Sequence, residues 1–328
     1  MFNYIDLFSG AGGFSLGLNT AGFKNIFSID YQKEFCDTYR ANFPKHHLIQ
    51  RDISQLGNEE ILTIIGNNEI DVIVGGPPCQ GFSMAGIIGR KFIDDERNHL
   101  FNEFVRIVNV VKPKIFVLEN VARLYIHNKG ETRKEIIAKF SGLGYNVTCK
   151  VLNTADYGVP QIRNRVIFIG NRIDVKNLFP EKSVKVHITV KEELSKYPAT
   201  DSLRESIPNH VPMKHSAQML KKMSYVQDGG NRNDIPLALR PLTGDIRKYI
   251  KYDSSKPSIC ITGDMRKVFH YEYNRALTVR ELAGLQSFPM DFIFKGNTIS
   301  QQQQVGNAVP PKFAAAISKS IKEMLSNG

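Results

Sequence analysis

The chain has 328 residues, 42% of them hydrophobic, which fits one large α/β domain or a large domain with a smaller companion. No apolar run is as long as a membrane span, and the start, MFNYIDLFSG, enters a strand directly, so no signal peptide is expected. A net charge of +11 suits a polyanionic partner such as nucleic acid, and equally a merely basic soluble protein.

Strands and helices alternate over residues 1 to about 170. The pattern predicts a strand over 4–8, a helix over 15–21, a strand over 26–29 and a helix over 34–42. Strands follow over 47–50 and 71–74. Residues 100–111 place Phe101, Phe104, Val105, Val108 and Val111 at a helical period. Next come a strand over 114–118, a helix over 132–143, and strands over 147–152 and 165–170. Such alternation implies a doubly wound α/β sheet. From 171 to 270 the periodicity weakens while prolines, glycines and basic residues increase, as in an irregular second domain. Helices return over 278–285 and 312–325. Ligands in open α/β sheets gather at the carboxyl ends of strands. Here those ends carry SGAGG, Asp30, Asp52, PPCQ and the pair Glu119 and Asn120.

Cys79 lies in IVGGPPCQGFS, just past the predicted strand over 71–74, on a loop stiffened by Pro77 and Pro78. A thiol so placed suits a nucleophile able to attack an electron-poor carbon. An arbitrary cysteine is more often a buried structural residue, but the Pro-Pro-Cys-Gln context favours chemistry. Cys36, Cys149 and Cys260 lie far from it and no CxxC pair occurs, which argues against a zinc site or a disulfide framework. A reducing, intracellular setting is the expectation.

The run DLFSGAGGFSLG is a strand-glycine-helix turn, yet Ser15 stands where the dinucleotide pattern needs its third glycine. No lysine follows it, so a triphosphate is not expected. Alone it is as readily a structural turn. With Asp30 placed to take ribose hydroxyls and Asp52 to accept from an adenine amino group, it describes a nucleoside pocket. Glu119 closes the run LENV, where a partly desolvated carboxyl could hold a proton or be an ordinary solvated glutamate. Arg163 and Arg165 alternate in QIRNRV, so both are expected on one strand face, either as functional cations or as a salt-bridge stripe.

Together these motifs resemble the bacterial cytosine-5 DNA methyltransferases of restriction-modification systems. The likeness spans DLFSGAGGFSLG, RDIS, GGPPCQGFS, ENV, QIRNR, RALTVRELAGLQSFP and QVGNAVPPKFA, in the family's order and spacing. It leaves out about 185–270, the family's target-recognition region. The resemblance implies a Rossmann-like S-adenosylmethionine-dependent methyltransferase fold, a mixed sheet with a smaller irregular target-recognition domain. The expected division is a catalytic and cofactor domain over 1–184, a recognition domain over 185–290, and a C-terminal segment over 291–328 returning to the first.

By the same resemblance, S-adenosylmethionine would be held by Phe8, Gly10, Ala11, Gly13, Asp30, Tyr31, Asp52, Ile53, Pro78, Leu100, Asn307 and Ala308, giving S-adenosylhomocysteine as product, with no metal. Cys79 would attack cytosine C6, Glu119 would hold a proton at N3, Arg165 would contact the base carbonyl and Arg163 would brace the catalytic loop. Duplex DNA would meet Gln80, Ser83, Arg97, Gly229, Gly230, Arg232 and Arg240, and the cytosine would flip out of the helix. Arg232, Arg240, Arg247 and Arg266 are candidates for guanine contacts, although phosphate contact is the more frequent role of such residues. Arg280 and Glu281 would tie the recognition region to the core. The likeness departs at Asn98, where the family often has glycine. A monomer in the cytoplasm, associated with the nucleoid and with a companion restriction endonuclease acting separately, is the expected setting. A tRNA cytosine methyltransferase on the same core, or a binding protein with a dead methyltransferase fold, are the alternatives. The first lacks its Cys-Phe-Thr run here, and the intact Cys79, Glu119 and Arg165 speak against the second.

Overall fold

A computed structural model describes residues 1–78, 98–199, 207–241 and 248–328. The chain divides into two compact units, one comprising Met1–Asn153, Asn164–Glu181 and Phe313–Gly328, the other Thr154–Arg163 and Lys182–Lys312.

The first unit is built on seven strands: β1 (Asn3–Leu7), β2 (Lys24–Asp30), β3 (Leu48–Gln50), β4 (Val72–Gly75), β5 (Ile115–Val121), β6 (Asn146–Asn153) and β7 (Asn164–Asn171). Their order is β3-β2-β1-β4-β5-β7-β6. The first five run parallel, and β7 is antiparallel to both β5 and β6. Helices α1 (Gly13–Thr20), α2 (Lys33–Asn42), α3 (Asn58–Ile65), α4 (His99–Val111) and α5 (Glu131–Ser141) accompany them. This is the mixed Rossmann-like sheet that the sequence implies.

The central strands are apolar throughout because both faces are covered. Tyr4, Ile5, Val72, Ile73, Ile115, Phe116, Val117 and Leu118 are fully buried. On α4, Phe101, Phe104 and Val108 pack into the same cluster as Phe116 and Phe140. Strand order reverses between β1 and β4, so the carboxyl ends of those neighbours form the topological switch point where such sheets bind ligands. Close approach there requires glycine. A Cβ on Gly75 would stand 2.7 Å from the Leu7 carbonyl oxygen.

The strand and helix expectations for 1–170 hold within a few residues at each end. Helix α3 was not anticipated, being a short apolar run, EILTII, whose period is hard to see.

In the second unit, regular structure is sparse: α6 (Val190–Leu194), α7 (Ala217–Ser224), α8 (Val279–Leu285), α9 (Thr298–Asn307) and a two-stranded parallel ribbon, β8 (Ile250–Lys251) with β9 (Val268–Phe269). A small core of Met223, Val226, Ile235, Phe269 and Ala276 holds it together. The last helix, α10 (Pro311–Asn327), begins in this unit and runs into the first, where Ala314 packs against Gly17 of α1.

Candidate active site

The glycine turn follows β1 directly. Phe8 and Gly10 have φ of 59° and 54°, and Gly12 has φ of 92°. Positive φ explains glycine at 10 and 12, and makes Phe8 a strained residue at the strand's mouth. A Cβ on Gly10 would meet none of the described residues within 4 Å, so among them the turn opens onto free space. Gly13 starts α1, and Ala11 is buried beside it.

Asp30, ending β2, fixes this turn. Its Oδ2 accepts from the Gly10 amide at 2.9 Å and its Oδ1 from the Gln32 amide at 3.0 Å. Burial raises its carboxyl above the ordinary range, with the amides of Gln32, Gly10 and Tyr31 pulling the other way. Each oxygen keeps a lone pair for a ligand hydroxyl. Tyr31, 62% exposed, offers an uncovered ring beside it. Asp52 spends Oδ1 on the Ser54 amide and hydroxyl at 2.9 and 2.7 Å, which lowers its carboxyl, and its Oδ2 has no hydrogen-bond donor among the described residues. Ile53 is buried and Leu100 half-buried, both with the core. Arg106 of α4, which sequence reasoning passed over, donates from Nη2 to the Ile53 and Leu56 carbonyls at 3.2 and 3.0 Å and so pins the segment carrying Asp52. No feature of an exposed-looking helical arginine advertises that role. Open space over a glycine turn, two carboxylates with spare acceptor capacity and an uncovered ring fit a nucleoside bearing a cationic sulfonium. Asn307 and Ala308 close α9 in the second unit.

Beneath the turn lies a buried polar chain that was also missed. Ser15 Oγ donates to Asp6 Oδ2 at 2.6 Å, and Tyr39 Oη is 2.7 Å from both Ser15 Oγ and Ser28 Oγ and 2.9 Å from His46 Nδ1. Burial pushes the Asp6 carboxyl up to about 7, and burial lowers His46.

On the other side of the switch point, β4 leads through Gly75 and Gly76 to Pro77 and Pro78, the latter exposed. Cys79, Gln80, Ser83 and Arg97 lie outside the described residues. Glu119, near the end of β5, reaches this segment: a Cβ on Gly76 would stand 3.1 Å from Glu119 Oε2. Its other oxygen, Oε1, accepts from Arg165 Nε at 2.8 Å, and both side chains are only 12% exposed. Arg165 sits two residues along β7 from Ile167, the partner of Glu119, which makes the two same-face diagonal neighbours. Asn120 anchors the loop, its Nδ2 donating to the Pro77 carbonyl at 3.0 Å while its Oδ1 accepts from the Val121 amide at 2.8 Å. Asn98, at the head of α4, has φ of −103°, so that position needs no glycine. Elsewhere, burial pushes the Cys36 thiol up to about 12 and raises Cys149, which suits neither to thiolate chemistry.

Arg163 and Arg165 do not share one strand face as expected, because β7 begins at Asn164. Arg163 is buried in the second unit, donating to the Ile261 carbonyl at 3.1 Å and the Gly306 carbonyl at 2.8 Å. Arg280 and Glu281 likewise make their contacts inside that unit. Gly229 (φ 71°) and Gly230 close a turn in which Asp234 Oδ2 accepts from the Gln227 and Asn231 amides, both at 3.2 Å. Arg232 opens a single 3-10 turn there. Arg240 donates from Nε to the Ile235 carbonyl and from Nη2 to the Asn233 carbonyl. Arg247 lies outside the described residues. Among the described residues no group of three or more His, Cys, Asp or Glu side chains could hold a metal ion, and no helix is long and apolar enough to cross a membrane.

Comparison with known proteins bears on this arrangement. A Type II methyltransferase of Haemophilus parahaemolyticus, M1.HphI, is 59% identical over 325 residues, covering 99% of this chain and 87% of its own. M.NgoFVII of Neisseria gonorrhoeae, also a Type II methyltransferase, is 35% identical over 98% of this chain and 87% of its own. Among solved structures, a candidate DNA modification methyltransferase encoded within an E. coli prophage superposes with a TM-score of 0.82 at 27% identity, covering 99% of this chain and 100% of that one. The model of the C-5 cytosine-specific DNA methylases, a family that implies S-adenosylmethionine as methyl donor, matches residues 2–323, and this chain therefore belongs to that family.

Proposed function

We propose that the chain is the modification enzyme of a restriction-modification system, methylating C5 of a cytosine flipped out of a specific duplex sequence. Cys79 is its nucleophile, Glu119 its proton holder and Arg165 its contact to the base carbonyl. The observation that carries this reading is the placement of Glu119 Oε2 against Gly76, three residues before Cys79, with Arg165 on Oε1.

Cytosine C5 is a poor nucleophile until C6 is attacked. The Cys79 thiolate adds to C6, and the displaced ring electrons are accommodated as N3 takes a proton from the carboxyl of Glu119. C5 then has enamine character and can form a bond to an electrophilic carbon. S-adenosylmethionine, when bound, supplies that carbon as the methyl of a sulfonium and leaves as S-adenosylhomocysteine. Loss of the C5 proton to a base, return of the N3 proton and expulsion of the Cys79 thiolate restore the aromatic ring. Arg165, held by Glu119, can turn its remaining guanidinium donors to the base carbonyl. Asp30 and Tyr31 would hold the ribose and adenine face, Asp52 the adenine edge, with Phe8, Gly10, Ala11, Gly13, Ile53, Pro78, Leu100, Asn307 and Ala308 forming the remaining wall. Gln80, Ser83 and Arg97 would close over DNA, and Arg163 would brace that loop. In this reading no metal takes part, the chain acts as a monomer in the cytoplasm on nucleoid DNA, and a companion endonuclease acts separately. The Type II names of the relatives support the restriction-modification setting.

A duplex with 5-fluorocytosine at the target tests the chemistry, because fluorine cannot leave C5 as a proton. The expected result is a covalent protein–DNA adduct that requires S-adenosylmethionine and is absent from Cys79→Ala. No adduct, or one that persists in Cys79→Ala, overturns the mechanism.

A further inference from the structure

The second unit contains a cavity of about 400 Å³ whose wall includes Lys214, His215, Met219, Lys248, Arg266 and Lys267. Among the described residues no carboxylate or carboxamide lines it. We propose that this cavity binds a backbone phosphodiester of the DNA substrate, a positioning contact that carries no sequence information. The proposal rests on the reading of the chain as a DNA methyltransferase and adds to it a specific anchoring site.

Three features of the fold hold the cations in place. Lys248 and Lys267 stand just before β8 and β9, and because that ribbon is parallel they emerge at the same end of it. The Tyr249 amide donates to the Lys267 carbonyl at 2.9 Å, and the Lys267 ammonium lies 4.7 Å from the centre of the Tyr249 ring. Asp264 holds Lys248 at 2.7 Å and Arg266 at 2.9 Å, and these partners keep its carboxyl well below the usual range. One carboxylate thus orients two cations without neutralising both.

The start of α7 lies beside this wall, between Lys214 and Met219. Its N-cap, Ser216, accepts from the Met219 amide at 3.2 Å, while the Ala217 and Gln218 amides have no acceptor among the described residues. No acidic residue occupies its first turn. Lys214 and Met219 flank this end and line the cavity, so the helix dipole adds to the field of the lysines. The His215 ring packs on Phe269 at 4.9 Å, and burial lowers its pKa, so it serves as a neutral wall.

A wall that carries four cations selects an anionic ligand. Base edges present donors and acceptors together, whereas a phosphodiester presents acceptors alone. Four cations against one carboxylate therefore match backbone better than sequence.

Counterion release gives the test. Each phosphate contact contributes about 0.9 to the slope of log affinity against log salt. The double variant Lys214→Gln/Lys267→Gln leaves the Asp264 pairs intact. Binding would be measured by fluorescence anisotropy from 50 to 200 mM salt, on the duplex found by bisulfite sequencing to be methylated and on a scrambled one. The expected result is a slope shallower by roughly 0.9, one phosphate contact, on both duplexes, with their affinity ratio unchanged. Lys214→Arg/Lys267→Arg should restore the slope, and Lys319→Gln, on the first unit, should not alter it. Equal melting curves and equal S-adenosylmethionine binding confirm that the double variant is folded. An unchanged slope overturns the site, and so does a lost affinity ratio at constant slope, which would mean base reading. Fluorocytosine adducts with an unchanged slope leave the methylation reading standing, whereas a changed slope without adducts sinks that reading and keeps the site.

Discussion

At the scale of single residues, this chain buries carboxyl groups against specific partners. Glu119 pairs with Arg165 and stands close enough to Gly76 to crowd any side chain there. Asp6 is the more extreme case, lying fully inside β1 with Ser15 as its donor and a carboxyl pushed up to about 7. The folded chain therefore keeps a proton on Asp6 between about pH 4 and 7, where the unfolded chain has lost it. Stability must fall as pH rises through that window, and the loss is complete above it. Asp6→Asn keeps an acceptor for Ser15 and removes the titration. Between pH 5 and 8 the wild type should lose roughly 2 kcal/mol relative to the variant, read from urea midpoints. Parallel profiles for the two proteins would show that Asp6 is ionised throughout. The sequence discloses DLF as a strand end, but the Asp6–Ser15–Tyr39–His46 chain joins three elements by side-chain geometry that no local pattern encodes.

At the scale of elements, α8 shows how an irregular unit is tied together by polar bonds rather than by a large core. Arg280 is fully buried and donates to the carbonyls of Pro208 at 2.9 Å, Pro289 at 2.7 Å and Phe292. Arg275 and Glu281 form a bidentate pair at 2.6 and 2.8 Å, and Thr278 caps the helix. Arg280→Met should cost about 3–5 kcal/mol, because three carbonyls lose their donor, and Arg280→Lys should fall between it and the wild type. Chemical denaturation would measure this, and a change below 1 kcal/mol would mean that water replaces the guanidinium without penalty. The sequence announces α8 through its capping box, Thr278 with Glu281. Helix α9 stayed hidden because it buries glutamines: Gln304 donates to the Lys295 carbonyl at 2.9 Å, and Gln302 accepts from the Met265 amide at 3.1 Å. A helix whose inner face is polar leaves no apolar period to find. The strands β1, β4 and β5 were legible for the opposite reason, since burial on both faces writes itself as continuous apolar runs.

At the scale of the whole molecule, the two units divide the chemistry differently. The groups proposed to hold an adenosyl ligand, Asp30, Tyr31 and Asp52 with the glycine turn, belong to the first, and the cation-lined cavity belongs to the second. The site was legible in the first unit because a parallel sheet brings its strand ends to one edge, so motifs far apart in sequence meet by topology alone. In the second unit, cation positions depend on a two-residue ribbon and on Asp264, which composition cannot locate. If cofactor and backbone are held by separate groups, they can be damaged separately. Asp30→Ala removes the acceptor proposed for the ribose hydroxyls and releases the Gly10 amide. Losing hydrogen bonds to a charged acceptor costs about 1.5–3 kcal/mol, so S-adenosylmethionine should bind roughly 10- to 150-fold more weakly by titration calorimetry. The salt slope for duplex DNA, set by cations elsewhere, should stay within about 0.3 of the wild type. A slope that falls by about 1 or more in Asp30→Ala would mean that DNA backbone binding depends on an ordered glycine turn, and the two functions would then have to be treated as one coupled site.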